Sequence, residues 1–179
     1  HGGRFVNFWS VDPDSNESSF RRWDRVSQQV ASVIDGLGLE FAYASVIGAS
    51  TDGRFLMLDS VINGRLGGAW LGNVDVLLDL ETQQLSLETP RVDEPVSSHA
   101  SLRSVSDNGR WLTYYVDGFS YVRDLQTGYL EQVNVDSSGA TTSASAVDVS
   151  DDGNYVVLLD RGPIPGYLYA SLRDRDSGH

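Results

Sequence analysis

Ser50-Thr51-Asp52-Gly53-Arg54-Phe55-Leu56-Met57-Leu58 reads as a tight turn running into an apolar strand, and it is one of four versions of a single phrase. The others are Gly3-Arg4-Phe5-Val6-Asn7-Phe8, Asn108-Gly109-Arg110-Trp111-Leu112-Thr113-Tyr114 and Asp152-Gly153-Asn154-Tyr155-Val156-Val157-Leu158. Asp-Gly and Asn-Gly tolerate the positive φ that a sharp reversal requires. The apolar, aromatic-rich run that follows has strand length. The glycines at 3, 53, 109 and 153 are separated by 50, 56 and 44 residues. Such a period in a β-rich chain is that of propeller blades, each a four-stranded antiparallel sheet. The expected fold is therefore all-β, a β-propeller of about three and a half to four repeats that is partial, small or composite.

A second phrase follows each glycine phrase. It is clearest in Tyr121-Val122-Arg123-Asp124-Leu125-Gln126-Thr127-Gly128, and related forms contain Asp79 and Asp174; the first copy, around Asp24, is degraded. The gap between the two phrases varies, so it reads as a loop, longest at Asn63-Gly64-Arg65-Leu66-Gly67-Gly68. A third strand is expected at 29–33, 84–87 and 131–135, and a fourth, rich in Ala and Ser, at 42–47, 100–105 and 145–149. Small side chains suit an innermost strand, where blades converge on an axis. Phe55, Trp111 and Tyr155 are expected to fill the space between blades, since a blade cannot bury both its faces alone. The repeats fall at about 1–40, 41–97, 98–141 and 142–179 of a single domain.

The two phrases in fixed order, Ser50 to Leu56 and Tyr121 to Gly128, resemble the WD40-like (PD40) repeat of TolB-type β-propellers. The resemblance spans nearly the whole chain. It implies a bacterial protein that is secreted, periplasmic or at the cell surface. It does not imply one activity, because such propellers serve as scaffolds, receptors and accessory domains of enzymes. The proline of the family's Pro-Asp-Gly turn is missing from all four copies.

If the strands of a blade are lettered A (inner) to D (outer), the chain opens on B at Gly3 and closes on C near Asp174. The blades then hold three, four, four and three strands, and the end pieces duplicate one another instead of completing one blade. Three arrangements satisfy such ends: part of a larger propeller, a composite ring or fibre of several copies, or a small four-bladed ring. Unpaired strand edges invite association. The expectation is a protein partner or self-association through blade edges, by β-augmentation.

Composition narrows the function classes. The 179 residues contain 13 basic and 25 acidic side chains, a net charge of −12. Nucleic-acid and anionic-lipid binding need clustered Lys and Arg, so neither is expected. No run approaches the ~18 apolar residues of a membrane span. The chain has no cysteine, which excludes disulfides, thiolate catalysis and Cys-ligated metals. The three histidines are His1, His99 and His179, and nothing near His99 suggests a nucleophile and an orienting partner. No Gly-x-Ser-x-Gly phrase occurs.

Asp12, Asp14 and Asn16, at alternate positions of a polar loop, are the candidate metal ligands, with calcium the ion such oxygens suit. The pattern then fails, since Trp23 stands where an EF-hand loop places its bidentate acid. The recurrent acids at Asp52, Asp152, Asp24, Asp79, Asp124 and Asp174 read as architecture, because a catalytic site breaks a repeat. Asp148 is an exception, a charge in a small-residue inner strand. Trp70 and Arg65, in the irregular stretch 63–73, are the candidate ligand-binding residues, for a carbohydrate ring or a protein. The leading expectation is a non-catalytic extracellular or cell-surface interaction module. The alternatives are part of a glycan-active propeller enzyme, which needs paired carboxylates, and a sugar-binding propeller.

Overall fold

The computed structural model describes residues 3–11, 14, 18–33, 39–40, 43–66, 69–86, 100–161, 164 and 166–178. Each glycine phrase turns the chain into the second strand of an antiparallel sheet, except the first, which opens its sheet. The first sheet holds β1 (Phe5–Val11), β2 (Ser18–Asp24) and β3 (Gln29–Ser32) in that order. The second holds β4 (Leu39–Glu40), β5 (Tyr43–Ala49), β6 (Phe55–Leu66), β7 (Ala69–Asp79) and β8 (Gln84–Ser86). Both β4 and β5 pair with β6, so β4 is a two-residue addition to a four-stranded unit. The third is β9 (Ser101–Val105), β10 (Trp111–Val116), β11 (Phe119–Asp124) and β12 (Leu130–Gln132). The fourth is β13 (Ser145–Val149), β14 (Tyr155–Arg161) and β15 (Leu168–Asp174).

Apart from β4, the expected strand order of three, four, four and three is found. There is no helix among the described residues, and hence none long and apolar enough to cross a membrane. Four successive antiparallel sheets are consistent with a propeller-like fold; none of them closes on itself.

One expectation is corrected. Residues 63–66 of the stretch read as the longest loop are strand, its last two residues lying outside the described ones: β6 continues to Leu66 and β7 begins at Ala69, with Val61 opposite Val74, Gly64 opposite Gly72 and Arg65 opposite Trp70. The register slips at three places along this hairpin. Glycines are loop signals in a sequence, but inside a ladder they mark bulges, where the extra backbone residue needs room.

Side chains alternate across each strand, and three cores fill the spaces between successive sheets. Leu56, Leu58, Val76 and Leu78 meet Phe20 and Val33 of the first sheet region. Met57 and Leu77, on the opposite face, meet Leu102, Leu112 and Tyr114. Trp111, Val122 and Val133 meet Ala146, Val156 and Leu158. The run Phe55-Leu56-Met57-Leu58 is apolar at every position because both faces of its sheet are covered. Ala100, Ala144 and Ala146, in or beside β9 and β13, are buried.

A buried asparagine joins the third sheet to the approach to the fourth. Asn134 donates through Nδ2 to the carbonyls of Gly118 (2.9 Å) and Thr142 (2.8 Å) and accepts at Oδ1 from the Ser120 amide (2.9 Å). Ser120 Oγ in turn donates to the Ala144 carbonyl and accepts from the Ala146 amide.

Candidate functional site

Three equivalent turns make up the most regular surface of the molecule. In the first, Ser50 Oγ donates to Asp52 Oδ1 (2.5 Å), which also accepts from the Arg54 amide (2.9 Å), while Ser50 Oγ accepts from the Phe55 amide (2.9 Å). The bonds recur with Ser106, Asn108, Arg110 and Trp111 at 2.8, 3.0 and 2.9 Å. They recur again with Ser150, Asp152, Asn154 and Tyr155 at 2.6, 2.9 and 2.9 Å. The side chain at the Asp/Asn position thus performs the work of a turn, and the Ser150 hydroxyl, first among its partners, holds the Asp152 carboxyl below the usual range.

Neighbouring turns are tied together. The Thr51 amide donates to the Asp107 carbonyl (2.8 Å), and Asn108 donates to Asp151 through its amide (2.9 Å) and through Nδ2 (2.7 Å). Thr51, Asp52, Asp107, Asn108, Asp151 and Asp152 are all exposed. They form an acidic ridge that crosses three sheets at one end of the strands.

Behind the ridge lies a clamp of Arg, aromatic and Asp. Arg4 binds Asp24 through Nε and Nη2 (3.1 and 2.8 Å), Arg54 binds Asp79 (3.0 and 2.7 Å), and Arg110 binds Asp124 (Nη2, 2.8 Å). Each guanidinium also covers the ring next to it in the chain, Phe5, Phe55 or Trp111, at 4.8, 4.9 and 4.9 Å from the centroid. The arginine hydrogen bonds hold the carboxyls of Asp24 and Asp124 well below the usual range. At Asp79 burial pushes upward, but Arg54 and the amides of Glu81 and Thr82 outweigh it, and the net shift is downward.

The rings end in glycines of the next sheet. A Cβ on Gly53 would overlap Phe5, one on Gly109 would stand 2.7 Å from a carbon of Phe55, and one on Gly153 would overlap Trp111. These glycines have φ of +74°, +72° and +77°. The turn glycine therefore serves two needs at one position: a left-handed backbone and a flat floor for the preceding sheet's ring.

A cleft of about 310 Å³ opens between the first and second sheets beside this joint, lined by Arg4, Phe5, Asn7, Arg22, Ser50 and Asp107 among others. Arg22 lies over Phe5 (4.6 Å), donates to Asn7 Oδ1 (3.0 Å) and to the Gly53 carbonyl (2.5 Å), and its pKa is lowered by burial. It is built into the joint and fixes one wall of the cleft.

Arg65 and Trp70 lie near the tip of the β6–β7 hairpin as register partners, so the ladder brings together two residues that the sequence had placed in an irregular loop. Asp14 is exposed, whereas Asp12 and Asn16, and likewise His1, His99 and His179, lie outside the described residues. Among the described residues no three of His, Asp and Glu group as metal ligands. Asp148 is exposed and accepts from Ser104 Oγ (2.7 Å), bridging β9 and β13 of the third and fourth sheets.

Sequence reasoning missed Arg175. It follows Asp174, covers Trp111 of the preceding sheet (4.8 Å), binds Glu131 (2.8 Å) and donates to the Gly153 carbonyl. The one available signal was the shared Asp-Arg step at Asp24-Arg25 and Asp174-Arg175, where the middle repeats have Asp79-Leu80 and Asp124-Leu125.

This assembly of repeated sheets, turns and clamps defines a TolB-like fold. Among solved structures the chain is similar to TolB from Acinetobacter baumannii, with a TM-score of 0.50 and 18% identity over 98% of this chain. It spans 39% of the length of that protein. No protein-family model matches the chain, and no curated protein matches its sequence.

Proposed function

We propose that this chain is a non-catalytic interaction module of the bacterial cell envelope or cell surface, built from WD40-like propeller blades at about 1–40, 41–97, 98–141 and 142–179. The observation that carries the reading is the fate of the repeated acids. Asp24, Asp79 and Asp124 are held by arginines and Asp52 and Asp152 by their turns, so these carboxylates serve structure and leave a rigid, acidic outer surface. A ridge of this kind, on a chain of net charge −12, suits a protein partner that presents Lys or Arg. The envelope location follows from the repeat's resemblance to TolB-type propellers.

The test is photo-crosslinking from Thr51 and Asp107, followed by calorimetry between the purified chain and each captured protein. The reading expects saturable binding that weakens with salt, and tolerance of single Asp-to-Asn changes in the clamps. It fails if no captured protein binds in isolation, or if the chain degrades a glycan and loses that activity with one acid-to-amide change. A sugar-binding reading is favoured by the pairing of Arg65 with Trp70 on the hairpin. Glycan-array binding that disappears in Trp70→Ala would select it.

A further inference from the structure

The first sheet departs from the repeat at one pair of residues. In the second sheet Met57 stands opposite Leu77, and in the third Thr113 stands opposite Val122. All four are buried, and Met57, Leu77 and Val122 pack in the cores shared with the following sheet. Counted from the ring and the aspartate that open and close each hairpin, the equivalent pair in the first sheet is Asn7 opposite Arg22. This pair faces the second sheet, since Arg22 Nη1 reaches the Gly53 carbonyl. An amide and a guanidinium thus occupy a place where the repeat puts core, and they line the cleft of about 310 Å³.

The guanidinium is incompletely satisfied. Nη1 bonds Gly53 and Nε bonds Asn7 Oδ1 (3.0 Å), while Nη2 is buried with no hydrogen-bond partner. A buried donor left unpaired is unfavourable, the more so on a cation. Burial lowers the pKa of Arg22, and the fields of Asp52 and Asp24 do not cancel the effect. Those two carboxylates are engaged elsewhere. Arg4 holds Asp24 through two bonds, and Ser50 and the Arg54 amide hold Asp52.

The clamps show what completes such a guanidinium. Arg4 and Arg54 each bind an aspartate through the edge formed by Nε and Nη2, at 3.1 and 2.8 Å and at 3.0 and 2.7 Å. Arg110 turns the same edge to Asp124, at 3.3 and 2.8 Å. On Arg22 this edge carries only a neutral oxygen, on Nε alone. A carboxylate bonds both hydrogens of the edge and adds opposite charge. Asn7 is half-buried, so it has only to turn its amide aside. Thr51 and Asp107, exposed on the facing wall, suit hydroxyl groups. The volume lies at the small end of the range for ligand pockets, about 300 to 1,000 Å³.

We propose that Arg22 anchors a small-molecule site in this cleft, taking the carboxylate of a small hydroxylated organic acid on Nε and Nη2 in place of Asn7 Oδ1. The hydroxyl-bearing body of the acid lies against Thr51 and Asp107. The site explains why the repeat is broken here: a core pair would close the cleft, and Asn7 with Arg22 keeps it open and charged.

The experiment is calorimetric titration of the whole chain with sodium gluconate at constant ionic strength, with the arginine Nε–H resonances followed by NMR. Wild type is expected to bind gluconate saturably at one site. The Arg22 Nε–H resonance, assigned by its disappearance in Arg22→Lys, shifts as the site fills. Arg22→Lys keeps the charge without the fork and should bind about tenfold more weakly or worse. Arg22→Met makes an apolar residue of the kind found at Leu77 and should abolish binding, with circular dichroism unchanged. If Arg22→Met fails to fold, Arg22→Lys carries the comparison. Asn7→Ala removes the competing oxygen and should bind at least as tightly as wild type. Glucose, of similar size without the charge, should leave the resonance unmoved. The proposal is overturned by a wild type without saturable binding, by an Arg22→Lys that binds like wild type, by an Asn7→Ala that loses binding, or by glucose or inorganic phosphate that binds as tightly as gluconate. Its failure leaves the protein-partner reading intact, because that reading rests on the acidic ridge and not on Arg22.

Discussion

The ring of Trp111 lies directly against Gly153, where a single added methyl group would collide with it. With its equivalents at Gly53 and Gly109, the contact explains why one residue type occupies three widely spaced positions. A turn of this shape accepts Asn or Asp at some cost, as Asp117 at φ +51° shows within this chain. At Gly153 the turn is also the wall of a core, and only a residue without Cβ satisfies both.

Gly153→Ala is expected to lower stability by roughly 2 to 5 kcal/mol, from left-handed backbone strain of about 1 to 2 and overpacking of about 1 to 3. Gly128, at φ +76° with open space above it, supplies the control. Gly128→Ala should cost only the strain, about 1 to 2 kcal/mol. Urea unfolding of the two variants reads the difference; equal losses would mean that the ring contact contributes nothing.

The Arg–Asp clamps set an acid limit. Asp24, Asp79 and Asp124 have carboxyls held below the unfolded value, so on acidification the unfolded chain takes up protons first. Their contribution is complete above the unfolded pKa of about 3.9 and is lost as pH falls from there toward the folded values. Melting temperature should therefore drop progressively below about pH 4. Asp124→Asn should melt lower at pH 7 and show a shallower decline in acid, because one titrating clamp is gone.

Asn134 should tolerate no truncation. Asn134→Ala strands the Ser120 amide in a buried region and removes the donor to the half-buried carbonyls of Gly118 and Thr142. At about 1 to 3 kcal/mol for an orphaned buried group, and less for each half-buried carbonyl, the loss should be roughly 2 kcal/mol or more. Chemical denaturation measures it, and hydrogen exchange should show the Ser120 amide losing protection.

The repeat itself forecasts which turn changes are silent. Asn108 makes the same two bonds in the third sheet that Asp52 makes in the second. Asp52→Asn should change stability by less than about 0.5 kcal/mol, whereas Asp52→Ala, which loses both bonds, should cost about 1 kcal/mol. Thermal melts of the pair decide it.

The sequence by itself determined the strands, their order and the grouping into four sheets. That information is local: Asp-Gly and Asn-Gly turns, two-residue alternation and the spacing of glycines are visible without knowing what lies across a gap. It also marked the recurrent acids as architecture, because a feature repeated four times belongs to the repeat. The reading failed where local signals have two meanings. Gly64 and Gly72 looked like loop residues and are register partners flanked by slips in a long ladder, since only a partner strand distinguishes a loop from a ladder. Only the tertiary structure decided what the joints are made of. That Phe55 meets Gly109 across 54 positions and that Arg175 reaches back over Trp111 depend on how one sheet is rotated against the next. Packing between sheets joins residues far apart in the chain, and no spacing within one strand encodes it.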